Sequence, residues 1–177
     1  MFLHKPIFLM LAAVLFTLSI SPAKAQQLPH LPGDTELRVT EDYAKYEQLV
    51  TEVADWLEET DLDKQTELRR EAGRFIFIWV SGSPTVNVPM SDYFFKLVDN
   101  NPNLTTIYMA RYASYCLVNK SYQDRISPAR AGLIAISRVY QKGIRVTKNK
   151  AMNKLQKVID QNKLDDYIRK NIWLTVY

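Results

Sequence analysis

The chain has 177 residues, 23 Lys and Arg against 19 Asp and Glu, a formal net charge of +4, two His and a single Cys. One cysteine excludes an internal disulfide, and so few imidazoles and thiols exclude a zinc site built from conventional His and Cys ligands. Chemistry that sets a histidine beside a nucleophile is equally poorly supplied.

Residues 1–25 carry Lys5, an apolar run from Ile7 to Ile20, and then Ala23-Lys24-Ala25. This order of basic start, apolar middle and small residues around a cleavage point is that of an export signal peptide. As a helix the apolar run spans roughly 21 Å, short of the roughly 30 Å hydrocarbon core of a bilayer. Cleavage is predicted after Ala25, and no cysteine lies there to accept a lipid. The expected product is periplasmic or secreted, with no transmembrane helix in the mature chain and no nucleic-acid partner. His4 leaves with the signal, so His30 is then the remaining imidazole.

Residues 26–38, with Pro29, Pro32 and Gly33, read as an extended N-terminal arm. From 39 to 177 the pattern is that of a single helical domain. Thr40 reads as the N-cap of a helix over 41–59, with Glu41 and Asp42 in the first turn, where their charge suits the helix dipole. Tyr46, Leu49, Val50, Val53, Trp56 and Leu57 recur every three or four residues and form its core-facing stripe.

A second helix is predicted over 64–80, stopped by Gly82 and Pro84. Its final part, 75–80, is apolar on every side. The preferred reading is a helix buried all round; the alternative is a buried strand returning through Ser81–Pro84 to pair with 85–88. The string Ser81-Gly82-Ser83-Pro84-Thr85 reads as a helix stop and a turn, without the order of a nucleophile elbow or a phosphate loop.

Ser91 is an N-cap for a helix over 92–99. Pro102 and Pro128 stand at the first positions of helices over 102–119 and 128–142, the latter closed by Gly143. Helices over 148–161 and 163–173 finish the chain. Six to seven helices with short connections predict an all-α fold. Cys116, among Tyr115, Leu117 and Val118, reads as a small core residue.

Three groupings are candidates for function. Tyr108, Arg111, Tyr112 and Tyr115 lie on adjacent turns, either as a packing seam or as a pocket for an anionic or aromatic ligand; Tyr108 and Arg111 are its candidate binding residues. Glu67 with Glu71, and Glu52 with Asp55 and Glu59, share helix faces, but acid–base pairs in glycoside hydrolysis need separation across a cleft. The third grouping is basic.

Charge is segregated along the chain: residues 26–102 hold 7 basic and 15 acidic side chains, residues 103–177 hold 14 and 4. Lys142, Arg145, Lys148, Lys150, Lys154 and Lys157, interleaved with Ile144, Val146, Met152 and Leu155, form a candidate binding face for an acidic protein, a glycan or an anionic lipid headgroup. The competing reading packs this basic half against the acidic N-terminal helices. No cofactor is expected. Asn103-Leu104-Thr105 and Asn119-Lys120-Ser121 match the glycosylation acceptor pattern.

The stretch 77–86, followed by Asn101-Pro102-Asn103-Leu104, Tyr108-Met109-Ala110, Tyr112, Ala131-Gly132-Leu133 and Val139-Tyr140, resembles small exported proteins of Bacteroidota-type bacteria that have no assigned function. The resemblance implies a helical, exported product and supplies no catalytic residue. The expected function is that of a binding or interaction module of the bacterial envelope. The alternatives are a hydrolase-like enzyme using Glu67, Glu71 or Tyr108 with Arg111 between helices, and an inhibitor or immunity-type protein.

Overall fold

The computed structural model describes Leu28, residues 30–33 and residues 37–172; the segment 1–25 predicted to be a signal peptide and the last residue of the helix predicted over 163–173 lie outside them. Within the described residues the chain is all-α: α1 (Thr40–Lys45), α2 (Glu47–Glu59), α3 (Thr66–Gly82), α4 (Asp92–Val98), α5 (Asn103–Asn119), α6 (Ile126–Gln141), α7 (Lys150–Asp160) and α8 (Leu164–Asn171). No helix among them is long and apolar enough to cross a membrane.

There are eight helices among the described residues, where six or seven were expected, because the helix predicted over 41–59 is two. The Tyr43 carbonyl, which a continuous helix would offer to the N–H of residue 47, accepts instead from the Trp79 indole at 3.0 Å and from the Tyr46 N–H at 3.2 Å. The chain therefore turns at Tyr46, whose φ of −106° and ψ of 6° leave the helical region. The predicted Thr40 cap also moves. Val39 occupies the cap position, and Asp42 reaches back to accept the N–H groups of Arg38 and Val39, both at 3.1 Å. Its carboxyl is held down to about 2, first by the hydrogen bond from Lys45 and then by those two N–H groups.

α3 runs unbroken through residues 75–80 to Gly82, so the hairpin alternative is replaced by helix. It is not buried all round: Phe75, Ile76 and Trp79 face the core while Phe77 stands 59% exposed. A Cβ at Gly82 would lie 1.8 Å from the Tyr43 hydroxyl, so α1 and α3 approach closely where this residue has no side chain.

The predicted proline positions shift in the same way. Pro102 caps α5 from outside, and α6 starts ahead of Pro128 because Asp124 Oδ1 accepts the N–H groups of Ile126 at 2.8 Å and Ser127 at 3.1 Å. Ser91 caps α4 as expected, its hydroxyl oxygen accepting the Phe94 N–H at 3.2 Å.

α5 is the central rod, packed on α2, α3 and α6, with Leu104, Ile107, Tyr108, Met109, Tyr112 and Cys116 buried. Tyr108 lies 4.3 Å from Phe94 and 6.0 Å from Tyr112, ring centre to ring centre. Gly132 makes the α5–α6 approach possible, since a Cβ there would sit 2.6 Å from the Tyr108 ring. Burial pushes the Tyr108 and Tyr112 phenols above their usual range and the Cys116 thiol up to about 11. Leu28 and Leu37, from the predicted arm, belong to the same buried cluster.

Candidate binding face

The acids of the N-terminal half and part of the basic C-terminal half meet at one place, the end of α2. This helix finishes in Glu58 and Glu59, with Asp61 just beyond, and has no basic residue in its last turn. Carboxylates at the negative end of a helix dipole are unfavourable, so compensation must come from elsewhere. Four cations from other parts of the chain supply it.

Arg69 of α3 donates to the Leu57 carbonyl at 3.1 Å and to the Thr60 carbonyl, with its guanidinium 5.5 Å from the Trp56 ring centre. Arg111 of α5 bridges Asp55 at 2.8 Å and Glu58 at 2.7 Å. Arg138 of α6 adds a second bond to Glu58 at 3.0 Å. Lys142 donates to the carbonyls of Glu58 at 3.2 Å and Glu59 at 3.0 Å and to the Asp61 carboxylate at 3.2 Å. With only 12% of its side chain exposed, Glu58 depends on these partners more than a surface acid would.

The eight candidate binding residues therefore divide. Arg111 and Lys142 are engaged in holding α2. Tyr108 is fully buried, its hydroxyl directed at the Pro89 carbonyl 3.4 Å away, which makes the Tyr/Arg grouping a packing seam. Arg145, Lys148, Lys150, Lys154 and Lys157 are exposed, and none makes an ion pair with a described residue.

On α7 the three lysines are spaced i, i+4 and i+7, so they form one stripe roughly 10 Å long. Met152 and Leu155 are buried on the opposite side. The loop that leads into α7 is clamped at two points. Asn101 donates to the Thr147 carbonyl at 2.9 Å and accepts the Thr147 N–H at 2.7 Å. Asn149 caps α7 by accepting the Ala151 N–H at 2.7 Å and anchors it by donating to the Leu97 carbonyl at 3.1 Å. Arg145 and Lys148 are thus carried on a fixed connection. Sequence reading missed both asparagines as positioning residues, although Asn149 before a helical run is an N-cap signal.

The acids proposed for catalysis do not gather with Tyr108 and Arg111. Glu67 is exposed and bonded to Arg70 at 2.7 Å, and Glu71 is exposed farther along α3. A cleft of about 390 Å³ between α3 and α5 is lined by Thr66, Arg69, Arg70 and Thr106, but its two guanidiniums are already engaged with α2 carbonyls and Glu67. Among the described residues no three His, Cys, Asp or Glu side chains form a metal-holding group.

Comparison with protein-family models, with curated proteins and with solved structures finds no match to this chain. Any functional assignment therefore rests on the chemistry of its own surface.

Proposed function

We propose that this protein is an exported binding module of the bacterial envelope that captures an acidic protein partner through Arg145, Lys148 and the α7 lysine stripe. One observation carries this reading: the neighbouring cations Arg138 and Lys142 are matched by acids of α2, whereas these five are exposed and unmatched among the described residues. A row of like charge on a fixed helix raises the local concentration of an anionic partner and steers its approach. The apolar side chains Met152 and Leu155 are buried in the core and not free to enter a bilayer, which favours a protein surface over a membrane. The signal-like residues 1–25 and the resemblance to exported proteins support the envelope location.

The test is capture from an envelope fraction at two salt concentrations, with the wild type and the Lys150→Glu, Lys154→Glu, Lys157→Glu triple variant. The expected result is a partner that binds wild type in low salt, is released at about 0.5 M salt as screening shortens the range of the charges, and is lost with the variant. Binding that ignores salt and charge reversal defeats the reading. Binding to anionic vesicles with no protein captured redirects it to lipid.

A further inference from the structure

The α7 face is charged and carries no apolar anchor. From Gly143 to Ile159 the chain has no Asp or Glu. On α7 Met152 and Leu155 are buried, Val158 and Ile159 are partly buried, and the other side chains that stand exposed beside the three lysines are Asn153 and Asp160. In the loop that leads into the helix, Ile144 and Val146 are likewise partly buried. The large apolar side chains that are exposed among the described residues, Val39, Phe77, Phe95, Val118 and Tyr122, all belong to other segments. The cations are also unevenly supported. Arg145, Lys148 and Lys150 precede or begin α7, at the positive end of its dipole and with no acid in its first turn. Lys157 lies in the last turn, at the negative end and three residues before the exposed Asp160. The positive field is therefore greatest at the N-terminal end of the helix.

We infer that the segment this face takes is an unstructured acidic stretch of a polypeptide, recognised by its density of carboxylates and held chiefly at the N-terminal end of α7. The inference rests on the function proposed above and adds the kind of segment that the site accepts. Folded partners draw most of their affinity from buried aromatic and apolar anchors, and lysine is depleted at the centres of such contacts. A face of lysines with none of those anchors offers charge alone, which acts at long range and tolerates differences in detail. An acidic stretch that stays unfolded by its own charge is complementary to it, because it brings a carboxylate to each ammonium without needing a matching shape. An extended chain advances about 3.3 Å per residue, so four consecutive acids cover the stripe of roughly 10 Å.

Fluorescence anisotropy of the full chain in low salt tests this with a dye-labelled peptide of Glu, Asp, Gly and Ser. The other probes are a scrambled peptide of the same composition and a counterpart with Gln and Asn in place of the acids. The acidic peptide and its scramble are expected to bind within about twofold of each other, and the neutral counterpart not at all. Lys150→Glu is expected to weaken binding at least about tenfold and Lys157→Glu about threefold or less, with circular dichroism unchanged in both. A scramble that binds more than about tenfold more weakly overturns the inference, because order is then being read. Equal losses from the two substitutions overturn it too, as does tighter binding to phosphatidylglycerol vesicles or a sulfated glycan than to the peptide. If the salt-sensitive envelope partner is captured while the acidic peptide does not bind, the inference fails and the binding reading stands. If neither binds, both fail.

Discussion

The cations around the end of α2 and the cations along α7 belong largely to one basic stretch of sequence, yet their surroundings differ completely. Arg138 and Lys142 sit where α6 passes the acidic end of α2, and with Arg69 and Arg111 they neutralise a helix terminus that carries the wrong charge for its dipole. Lys150, Lys154 and Lys157 sit on a helix whose inner side is buried and whose outer side meets solvent. The difference teaches that a run of basic residues is two things at once. One part completes the fold, and the other is left exposed to solvent.

Alkaline titration is expected to have the largest effect on stability, and it fixes the range in which the two regions can be compared. The phenols of Tyr108, Tyr112 and Tyr167 and the Cys116 thiol, raised by burial, keep their protons in the folded protein at pH values where the unfolded chain has lost them. The unfolded state then binds fewer protons, so stability is complete below the thiol's ordinary 9.0 and falls as pH rises through the folded value of about 11. Thermal unfolding midpoints that stay level from about pH 8 to about pH 11 would contradict this linkage.

Below that range, replacing Arg111 with Met removes bonds to both Asp55 and Glu58 and is expected to cost about 2 kcal/mol in urea unfolding. Lys142→Met, at a more open site, is expected to cost about 1 kcal/mol or less. Charge reversal of Lys150, Lys154 and Lys157 is expected to change stability least, by about 0.5 kcal/mol or less. If the triple reversal proves as costly as Arg111→Met, the division into fold-holding and solvent-facing cations is broken. If the order holds while capture is lost, it is sharpened.

Much of the fold is legible in the residues themselves. The three-and-four spacing locates α3 to α8 within a few residues, and Ser91 and Gly143 mark ends that the structure retains. The break at Tyr46 is not legible, because it depends on an indole 36 residues away. Nor is the exposure of Phe77, whose apolar neighbours on both sides suggest full burial, whereas the packing of α3 leaves it 59% exposed.

The candidate site shows the same limit. Composition identifies six cations between Lys142 and Lys157, but periodicity cannot say which of them another helix will meet. The sequence by itself determined an all-α chain, the segregation of its charge, and the amphipathic pattern that turns the α7 lysines outward, because helix propensity and spacing act over a few residues. Only the tertiary structure decided that Arg111 and Lys142 close the end of α2, that Tyr108 is core, and that the α7 stripe stays open. Ion pairs form between groups a few ångströms apart in space, and the packing of distant helices alone sets those distances.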